Sequence, residues 1–544
     1  NYFCNAPENF DEWNAWFTVF DEMVTAANGE QKVNTTYNST NDLTSYTDTA
    51  GYKSTATYDN KHNLLTTKSA KGVVTSNSYN ANGTISATEI QNSGNTVAIR
   101  TEQGYHGGNS TYGINAGSYL KYQYDENGNK VQTNCTWESG IPTQTFYDNG
   151  AVTTYGYNNS IKSRLTSVTH EGTKVNYDYV TQGGVLSNRI SKITYTGTAS
   201  GSPSESYSFS YDDYGNVLET MVGNQALSTK TYAAKNGALT TTTYGNNDKK
   251  TNNYNKLGLV SSIVSVNDGA SKTSYSWGYD NSGKTMHHRD AENNLKYLYD
   301  YDSLGRLIRQ EIQTNDTFSH VGSTEDAYDV RNNVTKVAAE FSGYTAVDKY
   351  MYSSNSGNAN ASSYASDNLI SRYYIANAAS RYVDYFYDDL NRLDSKTLAI
   401  GSVKINTDYV YKASDRGGKY TTTQVETEKL DNTTYNYYYD KVGNITSITK
   451  NSGAYRTYSY DKKNQLLSEV NNTTGVTTNF TYDAIGNITK KVQSSTSGTK
   501  TINYRYGNDG KTGWNNLLTG VDLSGNGAYE TAETISYDAI GNPT

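Results

Sequence analysis

The residues of this chain best suited to chemistry are its six histidines: His62, His106, His170, His287, His288 and His320. The only adjacent pair, in the stretch HHRDAENN, begins between the tyrosine motifs at Tyr279 and Tyr301. Such a pair could bind a metal ion or transfer protons. No His-Glu-x-x-His or three-ligand spacing accompanies it. We therefore predict that His287 and His288 occupy a solvated turn.

Other candidate chemistry is equally sparse. Cys4 and Cys135 lack the paired spacing of a zinc site, and they either form one bridge or remain two free thiols. The stretch DENGN at Asp125 has oxygen ligands for calcium, but such turns offer only one or two carboxylates each. No nucleophile elbow, phosphate-binding loop or dinucleotide fingerprint occurs. The sequence thus assigns no catalytic residue, no metal ligand and no cofactor, and we predict that the chain is not an enzyme.

Composition indicates a folded chain with little aliphatic core. Hydrophobic residues make up 35% of the 544 residues, and 53 residues are tyrosine. Disordered chains are poor in aromatics and rich in charge, whereas this one is 12% aromatic and 18% charged. The net charge of −8, without a block of Lys or Arg, makes nucleic acid an improbable partner. No apolar run approaches the ~20 residues of a transmembrane helix, and the first residues lack the pattern of a signal peptide.

The elements that would position any site come from a repeat. The hexapeptide YDAIGN begins at Tyr482 and again at Tyr537, 55 residues later. Tyr followed by Asp or Asn, commonly with Gly four residues after the Tyr, recurs along the chain. With this Gly the motif begins at Tyr79, Tyr124, Tyr211, Tyr254, Tyr279, Tyr301, Tyr439, Tyr482 and Tyr537; without it, at Tyr37, Tyr58, Tyr328, Tyr387 and Tyr460. A motif that recurs so often is typical of turn geometry rather than of catalysis.

Each repeat predicts two strands and two turns. A second Gly precedes the Tyr by seven residues, at Gly51, Gly72, Gly453 and Gly475. Asp or Asn side chains bond the backbone two residues on, and Gly adopts positive φ without steric penalty. In YDAIGN, Asp483 and Asp538 would begin the turn and Gly486 and Gly541 would permit it. The runs between turns, such as VTTNFT, are rich in strand-forming residues.

The tyrosines follow a period of two. Tyr-x-Tyr pairs occur, for example at Tyr122 and Tyr124 and at Tyr458 and Tyr460. Alternate residues of a strand share a face. We therefore predict an aromatic ladder on one face of a long antiparallel sheet, with Thr, Ser, Asn and Lys on the other. Tyr suits a face that is packed but partly wet.

Domain boundaries follow from where the repeat begins and where the spacing of its motifs becomes irregular. WNAWFTVFDEMV, from Trp13, fits a helix or a strand, and the Gly turn that follows favours the strand. We predict that residues 1–16 are the tail of a preceding segment and that residues 17–544 form one continuous array, truncated before a closing segment. The polar stretch SSNSGNANASSYASDN, from Ser353, is predicted to be a long loop.

These motifs resemble the YD-repeat family, which includes Rhs proteins, wall-associated proteins, toxin-complex shells and teneurins. The resemblance covers about Phe17 to Asn542, and it implies an all-β fold in which tandem hairpins form a sheet that spirals into a hollow shell. WNNLLTGVD, from Trp514, resembles the approach to the segment that closes such shells. Self-cleaving members share an Asp-Pro-x-Gly type of junction. The four prolines here, Pro7, Pro142, Pro203 and Pro543, follow Ala, Ile, Ser and Asn, so no cleavage site is assigned.

Three functions remain open. The first is a secreted or surface shell, bacterial and associated with the cell wall, that encloses or displays a C-terminal, toxin-like domain of the same polypeptide outside this sequence. The second is an adhesin that binds glycan or protein, for which a patch of exposed aromatic residues would be diagnostic. The third is a self-cleaving peptidase located beyond this sequence.

Overall fold

The computed structural model describes residues 33–544 except 137–139, 160, 162–163, 183–184, 268–269, 353–366, 508–513 and 531–532. Within these residues, forty β-strands form a single sheet, and the helical elements are two three-residue 3-10 turns, Ser110–Tyr112 and Ile375–Asn377. The predicted all-β fold is confirmed. Residues 1–16, the segment from Trp13 and most of the stretch from Ser353 lie outside the described residues, so the predictions about them stay predictions.

The strands are numbered in chain order. The first twenty are β1 Asn34–Tyr37, β2 Leu43–Thr47, β3 Lys53–Tyr58, β4 Leu64–Lys68, β5 Val74–Tyr79, β6 Ile85–Gln91, β7 Ala98–Tyr105, β8 Leu120–Tyr124, β9 Lys130–Cys135, β10 Pro142–Phe146, β11 Val152–Tyr157, β12 Leu165–His170, β13 Thr173–Gln182, β14 Val185–Gly197, β15 Ser204–Tyr211, β16 Val217–Val222, β17 Gln225–Tyr232, β18 Leu239–Tyr244, β19 Lys249–Tyr254 and β20 Val260–Asn267. The next twenty are β21 Ala270–Tyr279, β22 Thr285–Asp290, β23 Leu295–Tyr301, β24 Leu307–Thr314, β25 His320–Tyr328, β26 Val334–Phe341, β27 Tyr344–Met351, β28 Arg372–Tyr374, β29 Arg381–Tyr387, β30 Leu393–Ile400, β31 Val403–Ala413, β32 Thr421–Leu430, β33 Thr433–Tyr439, β34 Ile445–Lys450, β35 Gly453–Tyr460, β36 Leu466–Asn471, β37 Val476–Tyr482, β38 Ile488–Ser495, β39 Gly498–Tyr506 and β40 Leu518–Asp522.

Each strand pairs antiparallel with the next strand in sequence, from β1–β2 through β37–β38 to β39–β40. Because consecutive strands run in opposite directions, all turns that follow odd-numbered strands lie along one edge of the sheet. We call this the tyrosine edge, since most odd-numbered strands end in Tyr. The turns that follow even-numbered strands form the opposite edge. The hairpins thus follow one another in sequence order, as predicted.

The YDAIGN turn is closed by its own polar groups. Oδ1 of Asp483 accepts the backbone N–H groups of Ile485 (3.0 Å) and Asn487 (2.9 Å), and Nδ2 of Asn487 donates to Oδ2 of Asp483 (2.9 Å). Gly486 has φ of +100°. The same bonds recur at the second copy, where Gly541 has φ of +88°. The interpretation of the hexapeptide as turn chemistry is confirmed.

Turns without Gly use another residue at the same position. The left-handed residue is Asn at four of these turns and His at one, with φ between 63° and 66°. Asn tolerates this conformation better than most residues. The residues are Asn41, His62, Asn332, Asn391 and Asn464. The role of His62 was not foreseen from the sequence.

Two turn predictions need correction. Gly453 does not form the turn before β35: it is the first residue of the strand, and Asn451 and Ser452 carry the positive φ values of 49° and 67°. A two-residue hairpin turn with both residues left-handed explains the shift. Tyr124 ends an even-numbered strand, so its turn lies on the opposite edge rather than with the other motifs. The long β7–β8 connection, at residues 106–119, displaces the motif by one strand.

The tyrosine hydroxyl at the tyrosine edge joins neighbouring hairpins. Tyr482 Oη donates to the backbone carbonyl of Leu466 at 2.8 Å. The β36–β37 ladder ends at Ser468↔Asn479, so this bond holds the two strands together beyond the ladder. Equivalent bonds from Tyr to the preceding hairpin are made by Tyr79, Tyr179, Tyr211, Tyr232, Tyr254, Tyr279, Tyr301, Tyr328, Tyr387, Tyr411, Tyr439, Tyr460 and Tyr537.

The Tyr-x-Tyr pairs lie on the less exposed face, as predicted. In β35, Tyr458 and Tyr460 are half-buried, whereas Thr457 and Ser459 between and beside them are exposed. The rings do not form one continuous ladder: ring contacts among the described residues fall into separate clusters, such as Tyr350–Tyr373 at 5.2 Å. Edge tyrosines recur only on alternate strands, roughly 9.6 Å apart, and aromatic pairs need centroids within about 7 Å.

The sheet curls until its opposite edge meets its own tyrosine edge. The β2–β3 turn contacts the β25–β26 turn through Thr49 Oγ1 and the carbonyl of Val330, at 2.6 Å. The β12–β13 connection contacts the β37–β38 turn through Thr173 and Ala484. These partners are 23 to 25 strands apart. Among the described strands β1 pairs only with β2, so the sheet is a spiral strip and not a closed barrel.

The strip has little apolar core. Among the described residues, the buried hydrophobic side chains are Ala87, Ala98, Ile99, Ile114, Ile141, Ala151, Val222, Leu390 and Ala399. The buried polar and charged side chains number twenty, and they include Glu205, Arg372, Asp384 and Asp522. A two-layer sandwich of this length would bury large aliphatic residues on facing sheets. The strip instead relies on its ladder, its turns and its half-buried tyrosines.

The positive φ of Gly486 predicts a specific sensitivity. Gly486→Val should destabilise the β37–β38 hairpin by roughly 1 kcal/mol or more, because a β-branched residue is sterically opposed there. The measurement is hydrogen exchange at residues 476–495, together with the urea midpoint. Gly107→Val is the control, since Gly107 has no positive φ and open space beyond its Cα. Equal exchange in both variants would contradict the turn geometry.

The hydroxyl bond predicts that Tyr482 is not replaceable by Phe. Tyr482→Phe keeps the ring but removes the donor to Leu466, so we expect a loss of about 1 kcal/mol and faster exchange between β36 and β37. Tyr438→Phe is the matched control, because Tyr438 is 51% exposed. An effect of Tyr438→Phe as large as that of Tyr482→Phe would show that the hydroxyl bond contributes nothing.

Candidate functional site: the seam between turns of the sheet

The histidines are dispersed, as the sequence indicated. His62 Nδ1 lies 2.7 Å from Asp42, His170 Nδ1 lies 2.9 Å from Thr153 Oγ1, and His320 Nε2 lies 2.7 Å from Glu340. Within the part of the chain that the structure describes, no three His, Cys, Asp or Glu side chains are grouped to hold a metal ion. His170 and His320 each contact a partner of their own hairpin, and His62 contacts the turn of the preceding hairpin.

The prediction for His287 and His288 was wrong about their position. Both lie on strand β22, not in a turn, and burial lowers the pKa of each imidazole. His288 stacks between Trp277 (5.1 Å) and Tyr297 (5.4 Å) on the neighbouring strands. The turn comes later, where Asp290 accepts the N–H groups of Glu292 and Asn293. His288 is therefore a neutral packing element of one face of the sheet, and His287, as the adjacent residue of the strand, lies on the other face.

Cys135 lies at a cavity of about 720 Å³ that His106, Lys121 and Gln132 also line. Its thiol is free, and burial raises its pKa to about 11. The thiol is therefore protonated at neutral pH, and a protonated thiol is a poor nucleophile. Cys4 lies outside the described residues.

The calcium candidate at Asp125 is occupied by its own turn. Oδ1 of Asp125 accepts the backbone N–H of Asn129 (2.8 Å), and Oδ2 accepts its side-chain amide (3.0 Å). The neighbouring Glu126 accepts the backbone N–H of Thr423, on the next turn of the spiral, at 2.6 Å. The carboxylates of DENGN thus close the turn and join two turns of the sheet.

The most developed arrangement of functional groups is this joint, which we call the seam: the contacts between the opposite edge in residues 48–246 and the tyrosine edge in residues 329–538. At one end of it, Arg331 Nε lies 2.8 Å from Asp48, and its guanidinium lies 5.1 Å from the centre of the Tyr52 ring. At the other end, Asn246 Nδ2 donates to Asp538 at 3.1 Å. Turn residues that satisfy their own loops thus also bond the facing turn.

The centre of the seam is an ionic network. Glu89 bonds Lys419 Nζ (2.6 Å) and Arg100 (3.2 Å), and Glu102 bonds Arg416 (2.7 Å) and Arg100 (3.0 Å). All five side chains are at most 31% exposed. Each carboxylate therefore pairs with one cation on its own turn of the spiral and with another on the next turn of the spiral. These pairs fix the register between the two turns of the spiral.

Backbone bonds accompany these ion pairs. The N–H of Ala98 donates to the carbonyl of Lys419 at 2.9 Å, and Ala98 forms a parallel bridge with Tyr420. The Tyr420 hydroxyl donates to Glu89 at 3.1 Å. The edge of β7 thus gains a strand-like partner from the next turn, and the seam resembles a short continuation of the ladder.

The network keeps both acids ionised. Burial alone would raise the pKa of Glu89, but hydrogen bonds from Lys419, Tyr420 and Arg100 hold it below its ordinary value. The pKa of Glu102 is lowered in the same way, against burial, by Arg100 and Arg416. Sequence reasoning missed these residues, because SDRGGKY, from Ser414, carries no motif and its partners lie about 300 residues earlier. The length and the two glycines of this turn were the signal in the sequence that it differs from the ordinary turns.

Among the described residues, no helix has the length and apolar character of a membrane span.

Comparison with known proteins gives one family and one fold. The family model "RHS Repeat" matches residues 439–473. This range begins at Tyr439, the last residue of β33, and includes strands β34, β35 and β36. No curated protein sequence matches the chain. The solved structure "TcdB2-TccC3" has a TM-score of 0.50 at 14% identity, over 94% of this chain and 30% of that one. The chain thus spans less than a third of the length of that protein.

Two related solved structures are similar to the chain at lower scores. "TcdB2-TccC3 without hypervariable C-terminal region" has a TM-score of 0.47 at 12% identity, over 94% of this chain and 30% of that one. "Photorhabdus luminescens Tc holotoxin pore" has a TM-score of 0.42 at 13% identity, over 91% of this chain and 30% of that one. The hydroxyl bond of the unit that the family model matches recurs in hairpins from Tyr79 to Tyr537, so the chain carries a repeat of the Rhs, or YD, type at residues 439–473 and units of the same construction on both sides of it.

Proposed function

We propose that the chain builds part of the wall of a hollow, catalytically inert shell, secreted or held at the surface of a bacterial cell. The shell encloses or displays another domain of the same polypeptide. The observation that carries the proposal is the seam, because a sheet that returns to its own edge after 23 to 25 strands encircles a space.

The width of that space follows from strand spacing. Neighbouring strands are about 4.8 Å apart, so a ring of this many strands is roughly 35–40 Å across between backbones. Side chains on the inner face take up several ångströms on each side. The remaining width suits a polypeptide segment or a small domain.

The scarcity of buried apolar side chains supports a wall rather than a solid body. Among the described residues nine apolar side chains are buried, which supports a strip with two wetted faces. A wall of this kind needs no aliphatic core, because turns and ladder bonds maintain it.

The adhesin hypothesis gains no specific support. The most exposed tyrosines, Tyr37, Tyr214 and Tyr344, are 59%, 87% and 84% exposed. They belong to different hairpins, and Tyr344 lies on the opposite edge from the other two. A glycan or protein site would need neighbouring aromatic residues in one patch.

The proposed function is tested by imaging and by proteolysis. Cryo-electron microscopy of the chain should show end-on views of a ring with an empty centre, and a solid particle or a straight rod would contradict the shell. In the product of the complete reading frame, the segment that follows this chain should resist protease until the wall is unfolded. Cleavage of that segment at the same rate as in isolation would contradict its enclosure by the shell. Display of the segment on the shell would then be the remaining alternative.

The ionic network predicts that acid loosens the seam. Glu89 and Glu102 have lowered pKa values in the fold, so their contribution is complete above the ordinary value of 4.5 and is lost as the pH falls through the folded values. The protection factors of amide hydrogen exchange at residues 98–105 and 416–424, which correct for the intrinsic slowing of exchange in acid, should therefore fall below about pH 4.5. Unchanged protection factors in this window would show that the seam does not depend on these acids.

A substitution separates the network from general acid effects. Glu89→Gln should weaken the seam at pH 7 by roughly 1–3 kcal/mol, because three charge-assisted bonds become neutral or are lost. Glu325→Gln is the matched control, since Glu325 is 57% exposed and lies 3.9 Å from Lys336. Equal urea midpoints for the two variants would contradict the role of Glu89.

A further inference from the structure

Along the described seam, lysine side chains of one turn of the spiral contact asparagine side chains of the next. An amine held against a carboxamide can displace its ammonia, and the product is an isopeptide bond. The contacts, each from Lys Nζ to Asn Oδ1, are Lys71 with Asn391 (3.1 Å), Lys412 with Asn127 (2.8 Å) and Lys419 with Asn95. Each contact is therefore a place where the seam could become covalent.

Two of these lysines are held in their charged form by carboxylates. Asp415 lies 2.9 Å from Lys412, and Glu89 lies 2.6 Å from Lys419. A carboxylate beside an ammonium stabilises the charged form, and an ammonium has no lone pair with which to attack a carbonyl carbon. These two contacts are therefore suited to remain polar joints of the seam.

At the Lys71 contact a carboxylate lies on the amide. Asp367 Oδ2 accepts from Asn391 Nδ2 at 2.8 Å. Lys71 Nζ donates to Asn391 Oδ1 and, at 2.8 Å, to the carbonyl of Asp388. The two partners fix the orientation of the amide, because an ammonium bonds its oxygen and a carboxylate bonds its NH₂ group. A nitrogen bonded to Oδ1 lies roughly 3–4 Å from Cγ, close to the separation of reacting atoms in a near-attack geometry.

Asp367 is built into the turn that carries Lys71. On the same edge, the β2–β3 turn begins with Asp48, whose carboxylate accepts the N–H of Ala50 at 2.9 Å. The β4–β5 turn begins with Ser69 instead. Asp367 accepts the hydroxyl of Ser69 (2.6 Å) and the N–H of Lys71 (2.9 Å). A carboxylate from the next turn of the spiral thus stands where the turn's own Asp would lie, and both sides of the seam position it.

The site lies between the two turns and is shielded from bulk water. Lys71, Asp367 and Asn391 are half-buried, and the neighbouring Leu390 is 7% exposed. Asn391 is the left-handed residue of its turn, with φ of +66°. At the same position of another turn, Asn464 accepts from a neutral amide at 2.9 Å. The contact with a lysine is therefore particular to Asn391 and not a requirement of the turn.

We propose that Lys71 and Asn391 form an isopeptide bond across the seam, with Asp367 as the catalytic carboxylate. The free amine of Lys71 attacks Cγ of Asn391. Asp367 carries a proton from the attacking nitrogen to the leaving nitrogen, and the bond from Cγ to Nδ2 breaks. One ammonium and one carboxamide thus become a secondary amide and one ammonium ion, so atoms and charge balance without an oxidant.

The reaction occurs once per chain and needs no turnover. Only a small fraction of a lysine side chain is free amine at neutral pH, but effective molarities of well-oriented intramolecular reactions reach about 10⁵–10⁸ M. The bond would join residues 320 positions apart, so the β4–β5 and β29–β30 turns could not separate even in denaturant. The inference depends on the seam and not on the proposed shell function.

The test is mass spectrometry of the whole chain in denaturant, followed by peptide mapping. The mass should be lower than that of the sequence by one ammonia, and digestion should release a peptide in which Lys71 is joined to Asn391. The unmodified mass after prolonged incubation of the folded chain at neutral pH would overturn the proposal. Loss of ammonia at an Asn-Gly succinimide, without the joined peptide, would overturn it as well.

Variants of the two reacting residues locate the bond. Asn391→Asp tolerates the left-handed conformation but has no amide to displace, and Lys71→Arg keeps the positive charge but lacks the amine. Both should have the full mass of their sequences, with circular dichroism as the check that the sheet is retained. Lys419→Arg is the matched control and should still lose ammonia. Loss of ammonia in Lys71→Arg, or its absence in Lys419→Arg alone, would assign the bond elsewhere.

The role of Asp367 is tested by the rate of bond formation. Asp367→Asn keeps both reacting groups but cannot carry the proton, so the cross-linked fraction should rise roughly a hundredfold more slowly. The measurement follows that fraction over time after a pulse of cell-free synthesis. Ser69→Ala is the control for distortion of the turn, since it removes another contact of the same carboxylate, and it should react at nearly the wild-type rate. A wild-type rate in Asp367→Asn, or equal slowing in both variants, would overturn the catalytic role.

Discussion

The wall depends on the hydrogen bond from the edge tyrosine to the backbone carbonyl of the preceding hairpin. The chain joins consecutive strands at alternate edges, so each boundary between hairpins is open at the tyrosine edge. At β36–β37 the ladder stops at Ser468↔Asn479, and the hydroxyl of Tyr482 reaches the carbonyl of Leu466 beyond it. Phe would fill the same space but leave that carbonyl without a donor. This explains why Tyr rather than Phe occupies this edge position in the hairpins that make the bond, such as those of Tyr460 and Tyr482.

A strip held at both edges can transmit its twist over many strands and return to itself. The turns at its edges are suited to this contact, because each Asp is satisfied by the N–H groups and the Asn of its own loop. Two such edges approach with their turn carboxylates already satisfied, and neutral pairs such as Asn127–Gln424 join them. Charge is concentrated at Glu89, Glu102 and their cations, where each acid has partners on both turns. The ordinary turns close the seam, and this network sets its register.

Local features of the fold were predictable from the sequence. Features that depend on whether a strand is odd- or even-numbered, or on distant residues, were not. The Asp483 turn and the left-handed Gly486 follow from residue chemistry alone. The positions of Gly453 and Tyr124 were misjudged, because a two-residue turn and one long connection each change which residue lies at an edge. His287 and His288 were misplaced for a related reason, since the turn begins only after Asp290. The seam could not be predicted, because its register depends on the twist accumulated over 23 to 25 strands.

The fold information therefore lies mainly at the edges. The Tyr, the Asp, the left-handed residue and the apolar residue that begins the return strand define each hairpin, while the residues between them need only suit a pleated strand. This allocation agrees with the comparison to the toxin-complex structure, where a similar fold covers 94% of the chain at 14% identity. Such a wall can change the chemistry of its faces and connections while the edge residues keep its curvature.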